Sequence, residues 1–187
     1  MLLKTICWMT FFPIILFGCA EPADVLNSQS YNESGLSFEY PGNWEVTYNE
    51  VNDDGARNID IESKQSAMAY VIDLPSTAVL TSDEFTKKFM DGYKKKVASE
   101  GGHVSVAQSV PVEAEIDGQV RSGTKNRLVV RDGDKEEVFH QIYYLFTHDQ
   151  GMIAVIFQVA DHDIIDHIKG FELLLSTLHK EFAMGSD

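Results

Sequence analysis

From Gly35 the chain alternates between apolar and polar positions. Leu36, Phe38 and Tyr40 fall on one side, Ser37 and Glu39 on the other, and Pro41-Gly42-Asn43 then reverses the direction. This pattern predicts a half-buried strand closed by a turn. Trp44, Val46 and Tyr48 alternate with Glu45, Thr47 and Asn49 as a second strand, and Asp53-Asp54-Gly55 marks the next reversal. Residues 57–62 and 67–74 read as two more strands, the latter closed by Pro75.

At residue 81 the period changes from two to four. Thr81-Ser82-Asp83-Glu84 supplies capping residues and early acids, Phe85, Phe89, Tyr93 and Val97 recur at i+4, and Gly101-Gly102 ends the run. These are the signals of an amphipathic helix. Short extended pieces follow at 104–106 and 110–116, a turn at Asp117-Gly118, and a longer strand at 121–131. Asp132-Gly133-Asp134 signals a hairpin into a strand at 137–147 that is apolar on both faces over 142–146. After His148-Asp149-Gln150-Gly151, residues 152–159 are apolar on both faces except Gln158. A strand of that composition belongs in the middle of a sheet covered above and below. A last helix carries Ile164, Ile168, Phe171, Leu175, Leu178 and Phe182 as one apolar stripe. Hairpin-linked strands interrupted by one helix and ended by another predict an antiparallel sheet with helices packed on both faces, a three-layer α/β/α sandwich.

Residues 1–34 lie outside this pattern. Lys4 and the amino terminus form a short positive region, residues 6–17 are almost wholly apolar, and Gly18 stands directly before Cys19. That is the layout of a secretory leader. Leu16-Phe17-Gly18-Cys19 resembles the lipobox of bacterial lipoproteins, with an apolar residue three positions before the Cys and a small one immediately before it; Phe17 departs from the small or modest side chain usual between them. The resemblance implies cleavage after Gly18 and lipid on Cys19, as diacylglyceryl and acyl chains such as palmitate. An uncleaved signal anchor and plain secretion are the rival readings; a hydrocarbon core takes roughly 20 apolar residues, and Pro13 interrupts this run. Ala20 after the Cys, where an Asp would favour inner-membrane retention, points to the outer membrane facing the periplasm. Residues 20–34, AEPADVLNSQSYNES, read as a polar tether. The expected organisation is therefore a leader over 1–18, a lipidated Cys19 and flexible tether over 19–34, and a single domain over 35–187.

Composition narrows the function. The 187 residues hold 29 acidic and 15 basic side chains, a net charge of −14, which becomes −15 once Lys4 leaves with the leader. Such a chain is repelled by nucleic acid and by acidic headgroups. Cys7 and Cys19 are its only cysteines, so the folded part has neither a disulfide nor a thiol nucleophile.

Gly35-Leu36-Ser37-Phe38-Glu39-Tyr40-Pro41-Gly42-Asn43-Trp44 resembles the opening hairpin of the PsbP-like group, which includes DcrB-like bacterial lipoproteins and a nuclear-import factor. The likeness extends over residues 35–183 through the Phe85 helix, Tyr-Tyr-x-Phe at 143–146 and the closing helix. It implies an α/β/α sandwich around an antiparallel sheet and, by analogy, a non-enzymatic accessory role. The matching positions are turn and core residues, so no site residue transfers.

Asp161-His162-Asp163-Ile164-Ile165-Asp166-His167 is the best local cluster of chemistry. On a helix His162/Asp166 and Asp163/His167 are i,i+4 pairs that could hold a divalent cation. The structural alternative is capping by Asp161 or Asp163 with both histidines in solvent. Gly118 to Lys125 has Gly-Thr-Lys where a phosphate loop needs Gly-Lys-Ser/Thr, and it enters a strand. Lys87, Lys88, Lys94, Lys95 and Lys96 concentrate basic charge on one helix and read as a solvated face. No nucleophile elbow, zinc-protease motif or cofactor signature occurs. His103, His140, His148 and His179 are scattered. The expectation is a membrane-tethered envelope module that binds a protein or small ligand without catalysis; an unrecognised enzyme or a metal-binding protein is the alternative. A deep pocket lined by convergent titratable groups would favour the enzyme.

Overall fold

The computed structural model describes residues 21–148 and 151–181. The leader, Cys19 and Phe182 lie outside them. In chain order the elements are β1 (Gln29–Glu33), β2 (Leu36–Tyr40), β3 (Trp44–Val51), β4 (Arg57–Ser63), β5 (Met68–Pro75), α1 (Ser82–Ser99), β6 (His103–Ile116), β7 (Gln119–Asp132), β8 (Lys135–His148), β9 (Gly151–Ala160), a 3₁₀ turn (Asp161–Asp163), α2 (Ile164–Thr177) and the two-residue β10 (His179–Lys180).

Two antiparallel sheets result. The larger has the order β3-β4-β5-β9-β8-β7-β6, the smaller β1-β2-β10. β9 occupies the middle of the larger sheet, and every residue after Gly151 is buried, as its two-sided apolar composition predicts. Alternation then sorts its side chains. Ile153, Val155, Phe157 and Val159 join one cluster with Phe171, Leu174 and Leu175 of α2, whereas Ala154 and Ile156 join another with Phe85 and Met90 of α1. Each face of the sheet thus carries one helix.

Connectivity explains the placement of α1. Because β9 pairs with β5, the chain leaving β5 must travel to the far edge at β6, and α1 makes that crossing over the sheet. Thr81 caps the helix with a full capping box: its hydroxyl accepts from the Glu84 amide at 3.2 Å and Glu84 accepts from the Thr81 amide at 2.9 Å.

Three expectations need correction. The protein is a mixed α/β fold dominated by antiparallel sheet, and on the α2 side the small sheet shares the layer with a single helix; the expected helical layers are thinner than predicted. The pieces at 104–106 and 110–116 form one strand, β6, with an irregularity between Val106 and Gln108. As an edge strand it accommodates Pro111. Finally, the tether ends well before residue 34. Ala23 N–H donates to Asp166 O at 2.9 Å, Asp24 N–H donates to Asn43 Oδ1 at 2.9 Å, and β1 pairs along β2 with Tyr31 buried and stacked on Phe38 at 4.7 Å. A lone Tyr in a polar stretch shows no periodicity, and only its partner strand reveals it.

Candidate functional site

The cluster at 161–167 comes apart in three dimensions. His162 points outward, its side chain 69% exposed, with Nε2 3.5 Å from Asp163 Oδ1. Asp163 is buried and accepts from the Ser66 hydroxyl at 2.6 Å. His167 is fully buried, packs on Trp44 at 5.8 Å between ring centroids, and meets Gln65 Oε1 at 3.1 Å through Nε2. Burial pushes the His167 pKa down, partly opposed by Asp163 and Asp166. Asp161 instead meets His140 Nε2 at 2.6 Å. No group of three or more His, Cys, Asp or Glu is placed to hold a metal among the described residues. The capping alternative also needs correction: neither Asp161 nor Asp163 caps a helix with its side chain, and His167 faces the core. Core packing against Trp44 decides the orientation of α2, and a single sequence does not show that contact.

Gly118 to Lys125 is a hairpin and the start of β7. Asp117 and Gly118 adopt φ of 52° and 67°, the left-handed pair of a tight hairpin turn. Of the scattered histidines, His179 Nδ1 meets Asp117 at 2.9 Å, and His148 lies 3.5 Å from Asp73, which also accepts from Lys180 at 2.6 Å. These contacts tie β10 to the sheet.

A larger feature lies beneath α1. The helix is held down along its Phe85 and Met90 side, and over β5, β9, β8 and β7 it leaves a half-open groove of about 610 Å³. Phe89, Tyr93 and Val97, three of the four residues in the i+4 stripe, are only half-buried because they wall this space. Met68 and Tyr70 of β5, Val130 of β7 and Phe139 of β8 complete the apolar lining. Tyr70 stands edge-on to Phe89 at 5.6 Å and Phe89 edge-on to Tyr143 at 5.8 Å.

Lys88, Gly92 and Lys96 follow one another by a helical turn along the groove's helix side, and Glu100, Asp132 and Glu137 gather where α1 runs into β6 and β7 turns into β8. All five lysines of the basic run are exposed, as a solvated face requires. Gly92 is unusual: a Cβ there would meet nothing within 4 Å. A mid-helix glycine costs about 0.5–1 kcal/mol relative to alanine, and no close contact at this position demands it.

The floor is polar in one line. Asn126, Gln141 and Gln158 are cross-strand neighbours on β7, β8 and β9 and all are buried. Gln141 Nε2 donates to Gln158 Oε1, and the Tyr143 hydroxyl donates to Gln141 Oε1. Gln158 reaches the groove. Burial raises the pKa of Tyr70, with Asp60, Glu62 and Tyr93 adding to the shift; burial also raises Tyr93, with Glu137 and Glu100 adding and Gln158 opposing. Neither phenol is available as a base near neutral pH. The lining includes no His, Ser, Thr or Cys; its titratable groups are the two phenols, Lys88, Lys96, Glu100, Asp132 and Glu137. Such an arrangement can hold a ligand. Two residues signal it in the sequence, Gln158 in an otherwise apolar strand and Gly92 inside a helix.

No family model matches the chain, and no curated protein matches it. Among solved structures, the chain is similar to the solution structure of cyanobacterial PsbP (CyanoP) from Synechocystis sp. PCC 6803, at 19% identity, covering 88% of this chain and 96% of that one with a TM-score of 0.53. The likeness is one of fold alone, a PsbP-like fold.

Proposed function

We propose that the chain is a membrane-tethered envelope lipoprotein whose PsbP-like α/β/α domain is a non-enzymatic binding or accessory module, with the groove under α1 as its binding face. The observation that carries this reading is the groove itself, apolar over most of its lining and holding no Ser, Thr, Cys or His. Its volume lies within the range of small-molecule sites, about 300–1,000 Å³. The tethering half of the reading rests on the lipobox-like Leu16-Phe17-Gly18-Cys19 and on the charge of −14, which disfavours nucleic acid as a partner. Among the described residues no helix is long and apolar enough to cross a membrane.

Two measurements test it. Radiolabelled palmitate in the producing bacterium should label the full chain and not Cys19→Ser, which should also leave the membrane fraction, with the outer membrane as the expected home of the labelled form. The neutral dye Nile red should brighten on the full chain and lose that response in Gly92→Leu, where a side chain enters the groove. Equal labelling of both proteins overturns the anchor; an equal dye response overturns the groove.

A further inference from the structure

The chemistry of the groove specifies a ligand class, an inference that rests on the reading of the groove as a binding face. Tyr70, Phe89, Tyr93 and Phe139 give it four aromatic walls, whose faces carry the negative end of a quadrupole and attract cations. Glu100, Asp132 and Glu137 close one end, and none of them forms an ion pair with a basic side chain among the described residues. Two lysines, Lys88 and Lys96, line the helix side of the same groove. The Lys88 charge acts on Glu84 of its own helix and that of Lys96 on Asp60 of β4, so the lining carries three carboxylates against two lysines.

The lining is net negative, most so at the end formed by Glu100, Asp132 and Glu137. Glu137 and Glu100 add to the effect of burial at Tyr93, Asp60 and Glu62 do the same at Tyr70, and Glu62 does so at Asp60, where Lys96 opposes it. Each of these groups feels neighbouring negative charge in a partly desolvated space. An anionic ligand would meet that field, whereas a cation would be drawn to it. The open position at Gly92 leaves room for an apolar body beside the helix.

We propose that the groove under α1 binds a small organic cation, an amine or quaternary ammonium with an apolar body, its charge directed to Glu137, Glu100 and Asp132 and its body resting on Phe89, Phe139 and Val97.

Three probes that share a phenylbutyl body test this on the full chain in non-ionic detergent by calorimetry and by NMR shifts: 4-phenylbutyltrimethylammonium, 5-phenylpentanoate and the neutral 5-phenylpentan-1-ol. The ammonium should bind tightest, with the carboxylate weaker by roughly tenfold or more. In the double variant Glu100→Gln/Glu137→Gln the ammonium should fall to the affinity of the alcohol, while Lys88→Gln/Lys96→Gln should keep the order of the three probes. Gly92→Leu should abolish binding, and Gly92→Ala, which keeps the helix and most of the space, should retain it. An ammonium that binds no tighter than the alcohol, or a carboxylate that binds tightest, overturns the ligand class and leaves the binding module standing. Absence of binding by all three probes together with an unchanged Nile red response in Gly92→Leu overturns both.

Discussion

The backbone of Gly170 lies against the Trp44 indole so closely that a Cβ on residue 170 would stand 2.9 Å from Cζ2 and 2.7 Å from Cγ of Pro41. The contact joins the turn between β2 and β3 to α2. It also explains Pro41-Gly42-Asn43-Trp44 physically, since Trp44 fills the space between α2 and the sheet, edge-on to Phe171 at 5.2 Å. Two glycines on two helices therefore predict opposite outcomes. Gly170→Ala forces a clash with a ring and a proline and should destabilise by about 1–3 kcal/mol. Gly92→Ala meets nothing and should stabilise by about 0.5–1 kcal/mol. Urea midpoints of the two variants moving in the same direction would contradict the packing described here.

Ser66 links two elements, since its hydroxyl donates to Asp163 Oδ2 at 2.6 Å and accepts from the Ala160 amide at 3.3 Å. Asp163→Ala should cost about 1–3 kcal/mol because it leaves a desolvated hydroxyl without its acceptor. In a cycle with Ser66→Ala the two losses should fall short of additivity, measured by chemical unfolding. Full additivity would mean that the bond contributes nothing.

His167 makes stability depend on pH. Its pKa in the folded protein lies below the ordinary 6.5, chiefly through burial, so the unfolded chain binds the proton more readily. The stabilisation is whole above 6.5 and is lost as the pH falls from there through the folded-state value. Wild type should thus weaken on acidification from pH 7.5 to 5 more steeply than His167→Gln, after each is normalised to its own stability at pH 7.5. Parallel slopes would assign the pH dependence to other groups.

Zinc should bind no site at 161–167. His162 faces solvent while His167 is enclosed by Gln65 and Trp44, so the two imidazoles do not converge on one point. Calorimetric titration of the full chain should show no stoichiometric heat. Heat that disappears in His162→Ala would reverse this assignment.

Much of the fold is legible along the chain because burial writes a period into it. The two-sided apolar run at 152–159 places β9 in the middle, and the Thr81 capping box sets the start of α1. Elements that depend on a distant partner are not legible. β1 offers one buried residue, Tyr31, and becomes a strand only through β2; β10 has two residues and is defined by Ser37 and Leu36. The groove follows the same rule. Phe89, Tyr93 and Val97 look like core in the sequence because apolar periodicity is identical whether the facing surface is filled or left open. Gln158 and Gly92 depart from their local patterns, and both line the open space.

The backbone bond from Ala23 to Asp166 has a geometric consequence for the proposed lipid anchor. With lipid on Cys19, four residues join the membrane surface to a fixed point on the domain, and at full extension they span about 14 Å. That is too short for free rotation of a body this size. The α2 end around Asp166 would be held against the headgroups as a pivot, and the orientation of the domain to the bilayer would be set by chain length alone.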